Sequence, residues 1–323
     1  MTLADEQTFA IDMTAPSDQS PSPAVRARGN APQTIVWLAS YPKSGNTWVR
    51  VFVHNLLKEL SENSNEPHDI NRLHEHTGWE FGARPFEAVL GKPFAEASHR
   101  ELAEARPAAQ GLLARNARGP ILVKTHLCLG HEFQVPTINI NATLAAIYIV
   151  RNPLDVAISF SHHLGKPIDA TIADMATHNF MIPSRKRHVY EVIGTWSQHV
   201  GSWIGLVSRP VHVMRYEDML ANPMRSFGRL ATFLRLAPTE TQLAAAIEKS
   251  SFKELSRQEA EHGFNERPPM AKKFFREGRA GQWRKDLSSS QISDIVRTHA
   301  PLMQRFGYLQ PDCGRDISLT RSP

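Results

Sequence analysis

The stretch "TIVWLASYPKSGNTWVRVFVHNLLKEL", residues 34–60, decides how the chain folds. "TIVWLAS" (34–40) is a short continuous apolar run, the mark of a buried strand, and "TWVRVFVHNLLKEL" (47–60) reads as a helix. Between them Gly45 lets the backbone approach a ligand closely, and Thr47 opens the helix. The first helical amides and the helix dipole then make an anion site, to which Lys43, Ser44 and Thr47 add donors. A lysine–glycine pair without those flanks would be an ordinary turn; the strand before it and the helix after it point to an anion. The loop lacks the GxxxxGK[ST] spacing of a nucleoside-triphosphate loop, and no apolar strand ends in a magnesium-binding Asp. The anion therefore need not be a triphosphate.

The alternation continues down the chain. "PILVKT" (120–125), "LAAIYIV" (144–150) and "PVHVMRY" (210–216) read as further strands. "NPLDVAISFSHHL" (152–164), a segment from Pro223 to about Leu234, and residues 290–306, which stop at Gly307, read as helices. Strands alternating with helices predict an α/β, three-layer fold with a central parallel sheet flanked by helices. Residues 33–311 are expected to form a single domain. The Pro- and Ser-rich residues 1–32 are expected to be a disordered tail, and 312–323 a flexible one.

Composition narrows the function. A net charge of +5 suits an anionic ligand but is too diffuse to call for nucleic acid. The two cysteines, Cys128 and Cys313, make no disulfide framework or CxxC pair, so a reducing, cytoplasmic setting is expected. No apolar run approaches the ~20 residues of a membrane span. The acidic N-terminus, with Asp5, Glu6 and Asp12, does not read as a secretory signal.

In parallel sheets ligands bind beyond the carboxyl ends of the strands. Lys43, Ser44, Asn46 and Thr47 follow the first strand, Lys124 and His126 the second, Arg151 the third, and Arg215 and Tyr216 the fourth. Asn152 is a good N-cap, Pro153 a good first helical residue, and Asp155 a capping partner. Ser159 can share the helix face from which Arg151 emerges, either as part of a second phosphate site or beside an arginine that is merely salt-bridged. A lone histidine is usually structural, yet His126 directly follows a buried strand at the ligand edge, which suits a general base. His162, His163 and "HEH" (74–76) lack HExxH spacing; they read as solvated or lid residues, and no metal is expected. "AKKFFREGRAGQWRK" (271–285) is basic, holds two glycines, and carries Phe274, Phe275 and Trp283, which suit a nucleotide's base beside its phosphate.

These pieces resemble the sulfotransferases that use 3′-phosphoadenosine 5′-phosphosulfate (PAPS), especially the cytosolic type. "YPKSGNTW" looks like their 5′-phosphosulfate loop, with Asn46 where threonine is usual and Trp48 closing the motif. "YIVRNPLDVAISF" resembles their 3′-phosphate motif through Arg151 and Ser159, and "KTH" (124–126) their catalytic segment. "RYEDML" places Tyr216, and "KSSFKEL" places Ser250 and Phe252, at matching adenine-contacting positions. "FFREGRAGQW" is similar to their C-terminal loop, giving Arg276, Glu277 and Gly278, with Glu277 where lysine is usual.

The resemblance implies a P-loop-like sulfotransferase fold, PAPS as donor, 3′-phosphoadenosine 5′-phosphate (PAP) as product, and a small-molecule acceptor. It makes His126 the base, with Lys43 and Lys124 stabilising charge on the departing phosphate and the sulfuryl oxygens. Glu277 is expected to point away and leave the backbone to bind. The family's dimer motif is barely recognisable in "RKDLSSSQISD", so monomer and homodimer both stay open. A small-molecule kinase and a non-catalytic nucleotide-binding protein are the alternatives. The acceptor pocket is expected from residues 61–118, 165–190 and 256–271. There "SRKRH" (184–188) reads either as an attractor of acidic acceptors or as a solvated basic lid.

Overall fold

The computed structural model describes residues 31–61, 68–269 and 271–309; apart from Ala31 and Pro32, the two expected tails lie outside the described residues. Five strands make the main sheet: β1 (Ile35–Ser40), β2 (Thr77–Trp79), β3 (Ile121–Thr125), β4 (Thr143–Val150) and β5 (Val211–Arg215). They lie in the order β2–β3–β1–β4–β5, and every pairing is parallel. β1 is central, and all of its residues are buried. Its side chains alternate between two cores: Ile35, Trp37 and Ala39 enter one, Val36 and Leu38 the other.

Helices cover both faces, as the sequence predicts. α1 (Asn46–Leu60) sets Val49, Phe52, Val53 and Leu56 against the Val36 and Leu38 face. The opposite face takes α2 (His99–Asn116), α3 (Pro153–Leu164) and α4 (Trp196–Ile204), with Leu102, Leu154 and Trp203 in its core. α5 (Pro223–Phe233) and α6 (Glu240–Lys249) pack with α1, where Phe227 stacks on Phe52 at 4.2 Å. α7 (Phe252–His262) caps a third, smaller cluster with Val51 and Phe264. α8 (Ser289–Arg305) returns to the α3 and α4 side through Ile292, Ile295 and Met303. Burying each such side chain stabilises the fold by roughly 1.5–3 kcal/mol.

Several elements were not expected from the sequence: the strand β2 and the helices α2, α4, α6 and α7 among them. Edge strand β2 pairs Thr77–Trp79 with Leu122–Lys124 of β3. α2 fills part of the region that seemed without pattern. It begins in a capping box, in which the Ser98 hydroxyl accepts from the Glu101 amide and Glu101 reaches back to the Ser98 amide. From α2 the buried Arg106 donates to Glu80 (3.3 Å) and to the Tyr190 carbonyl (2.8 Å). It thereby ties the segment after β2 to the chain beside the site.

Candidate active site

The carboxyl ends of β1, β3, β4 and β5 open into one cavity of about 690 Å³. Its first wall is the loop after β1. Gly45 has φ +107 and lies under Tyr216; a Cβ there would come within 2.9 Å of that ring. Lys43 also adopts a left-handed conformation, φ 67, which is uncommon for a residue with a side chain. Its carbonyl accepts from Arg151 (3.0 Å), and its ammonium lies 4.2 Å from the centre of the Phe274 ring. Burial, then the charges of Arg151, Lys124 and Arg276, lower the Lys43 pKa to about 7. Ser44 is fully buried with its hydroxyl unpartnered. Thr47 and Trp48 line the cavity, Trp48 edge-on to Tyr216 at 5.7 Å.

Asn46 has a local explanation. Its amide donates to the Leu38 carbonyl (2.9 Å), which fastens the start of α1 to β1. Its Oδ1 is buried without a partner.

Arg151, Ser159 and Arg276 also line the cavity. Arg151 lies over Tyr216 at 4.2 Å, donates to the Arg279 carbonyl (3.1 Å), and keeps a buried Nε with no partner. Gly278 has φ +63, and a Cβ there would stand 2.2 Å from Phe252, so only glycine allows that ring to close over the loop. Asp155 departs from its expected capping role. Its carboxylate accepts from the backbone amides of Gly281 (2.7 Å) and Trp283 (3.1 Å), holding the C-terminal loop against α3. Glu277 lines the cavity, and its carboxylate is paired with Arg279 at 3.0 Å and Arg276 at 3.9 Å. Ser250 is not at the wall. It is fully buried at the end of α6, donating to the Ala246 carbonyl (2.6 Å) and accepting from Asn55 (3.0 Å), and its neighbour Ser251 lines the cavity instead.

His126 lines the same cavity. Its Nδ1 is 2.8 Å from the Ser40 carbonyl, which can only accept, so Nδ1 carries the hydrogen and Nε2 the lone pair. Its own carbonyl accepts from Nε2 of the buried His199 (3.0 Å), whose Nδ1 accepts from the Tyr148 hydroxyl (2.9 Å). Burial, then Lys124, hold the His126 pKa well below its ordinary 6.5. Lys124 pairs with Glu266 at 3.7 Å, and Glu266 also accepts from the buried Arg50 at 2.7 Å.

His163, expected to be a solvated or lid residue, lines the cavity; burial, then Lys43 and Lys124, lower its pKa to about 3. Its place at the end of α3, one turn beyond Ser159, was the available signal. Glu191 and the Trp79–Phe81 pair are further cavity residues outside every motif. Among the described residues the one metal-capable group is His54, Glu75 and His76, with ligand atoms within 4.8 Å. His54 and His76 already share a hydrogen bond at 2.8 Å, Glu75 is bonded to Arg72, and none of the three lines the cavity.

Comparison with known proteins gives the family and the fold. The model of the sulfotransferase domain family matches residues 33–307. Sulfotransferase 1A1 of Canis lupus familiaris is 25% identical over 278 residues, which cover 84% of this chain and 83% of that protein. Flavonol 3-sulfotransferase of Flaveria bidentis is 24% identical over 275 residues, covering 80% and 78%. The structure of mouse sulfotransferase SULT7A1 complexed with PAP aligns with a TM-score of 0.56 at 18% identity, over 86% of this chain and 87% of that one. Retinol dehydratase in complex with androsterone and the inactive cofactor PAP aligns at 0.59 and 20% identity, over 87% and 83%. These structures share the fold: a parallel sheet flanked by helices. With the family match running from before β1 to beyond α8, the chain belongs to the sulfotransferase domain family and is a transferase of the sulfotransferase class.

Proposed function

We propose that the protein transfers the sulfuryl group of PAPS to a hydroxyl or amine of a small-molecule acceptor, by in-line displacement with His126 as general base. The observation that carries this reading is His126 itself. Its Nδ1 hydrogen is committed to Ser40, which frees the Nε2 lone pair, and it shares one cavity with Lys43, Lys124, Arg151 and Arg276. The donor suits that cavity: Arg151 lines it and keeps a buried Nε without a partner, which suits an anionic oxygen.

The donor would supply an activated sulfuryl group whose leaving group is a phosphate. Lys43, Ser44, Thr47 and the first amides of α1 hold that 5′ side. Arg151, Ser159 and Arg276 grip the 3′-phosphate, with backbone help from Glu277 and Gly278. Trp48, Tyr216 and Phe252 shape the adenine pocket. As the acceptor oxygen bonds to sulfur and the sulfur–phosphate oxygen bond breaks, His126 Nε2 receives the acceptor proton. Lys43 and Lys124 offset charge growing on the departing phosphate and the sulfuryl oxygens. PAP in the aligned structures supports this donor. A plant relative named Cytosolic sulfotransferase 10 (Arabidopsis thaliana) supports a cytoplasmic setting, and no helix of the described residues is long and apolar enough to cross a membrane.

Calorimetry with PAP, adenosine 5′-phosphate and ATP tests the donor assignment. PAP should bind tightest, and Arg151→Ala should weaken PAP at least about tenfold more than adenosine 5′-phosphate. Equal losses, or an ATP preference, would contradict it.

A further inference from the structure

The cavity extends well beyond the donor site, and its outer part has a chemistry that the donor does not use. Trp79 and Phe81 stack with ring centres 5.6 Å apart and planes 21° apart, and the His188 ring stands edge-on to both. Above this apolar surface runs a turn carrying Arg185, Lys186 and Arg187 in succession, all exposed and all lining the cavity.

The turn is a built feature. Arg185 and His188 exchange backbone hydrogen bonds at 2.8 and 3.0 Å, the Ala83 amide donates to the Arg187 carbonyl (3.0 Å), and the Val189 amide donates to the Phe81 carbonyl (2.8 Å). The Tyr190 amide donates to the Ser184 hydroxyl (3.0 Å). The backbone of the turn that carries the three cations is thereby fixed beside the aromatic pair.

The charges do not cancel. Deeper in, Glu266 is matched by Arg50 and Lys124, and burial raises the pKa of Glu191, whose charged form is favoured by Lys124, then Arg106, and least by Arg185. At the mouth no carboxylate pairs with Arg185, Lys186 or Arg187 among the described residues. A basic run is ordinarily a solvated face. This one is pinned at a cavity mouth beside an apolar platform, and its three adjacent like charges repel one another until an anion joins them.

We propose, building on the sulfotransferase reading above, that the acceptor is an anion. It would be a hydroxylated molecule with a flat apolar body against Trp79 and Phe81. Its hydroxyl would reach His126, and a carboxylate at its far end would sit on the Arg185–Lys186–Arg187 turn.

Binding of hydroxyphenylalkanoic acids of three chain lengths, each beside its carboxamide, tests this on PAP-loaded protein without needing turnover. At least one acid should bind about tenfold tighter than its amide, and the difference should shrink in ~1 M salt. The triple variant Arg185→Gln, Lys186→Gln, Arg187→Gln should bring acid and amide within about twofold while PAP affinity stays unchanged. Equal binding of acids and amides, no binding of either, or a preference that survives the triple substitution would overturn the proposal. The comparison is repeated without PAP. A wild type that failed to bind PAP would contradict the donor reading, while the acid–amide difference would still judge the rim.

Discussion

At the scale of single residues, Lys43 concentrates the electrostatics of the site. It holds a left-handed backbone, faces the Phe274 ring, and is surrounded by Arg151, Lys124 and Arg276, with Glu259 the opposing charge. Burial and these cations lower its pKa to about 7, so the free protein loses the Lys43 charge as pH rises through that value. An anionic nucleotide favours the charged form and raises that pKa, so binding takes up a proton above pH 7. PAP affinity should therefore fall by up to about tenfold per pH unit above 7, and Lys43→Arg, always charged, should flatten the profile. A wild-type affinity constant from pH 6 to 9 would contradict this. Asn46 shows a different use of a loop residue: its amide reaches back to the Leu38 carbonyl, so the departure from threonine serves the joint between β1 and α1.

At the scale of elements, the joint between α3 and the C-terminal loop holds the part of the cavity proposed to take the 3′-phosphate. α3 begins as the sequence predicts, with Asn152 accepting from the Leu154 amide and Pro153 in its first turn. Asp155 instead spans to the amides of Gly281 and Trp283, a tertiary use of a residue whose local sequence signals only a cap. Arg151 closes the same loop through the Arg279 carbonyl. Removing the Asp155 carboxylate leaves two backbone donors without their acceptor and frees the loop that carries Arg276 and Gly278. Asp155→Ala should lower stability by about 2 kcal/mol and weaken PAP severalfold. Thermal unfolding and calorimetry check both, and an unchanged PAP affinity would show that the loop does not depend on this joint.

At the scale of the molecule, what was legible followed burial. β1, β3 and β4 are apolar runs between covering helices, edge strand β5 is an apolar run of which only Met214 is buried, and the glycine loop lies between a strand and a helix, so all could be read directly from the sequence. β2 has three residues and is recognised only through its pairing with β3. The Ser98–Glu101 spacing at the head of α2 was a usable signal, but the alanine-rich stretch behind it carries weak periodicity. Ser250 and Ser251 are adjacent, and sequence cannot say which faces the ligand; the fold buries the first. Residues 61–118 and 165–190 were expected to supply the acceptor pocket, but not how they meet: the chain after β2 joins residues 185–188 by hydrogen bonds between positions far apart in sequence, as from Ala83 to Arg187. The account's central claim is that His126 is the base for sulfuryl transfer. Single-turnover transfer from labelled PAPS to a panel of phenols and alcohols, beside PAP calorimetry, tests it in wild type and His126→Ala. The account predicts a rate loss of about 10²-fold or more with PAP affinity unchanged; turnover near the wild-type rate with intact PAP binding would contradict it.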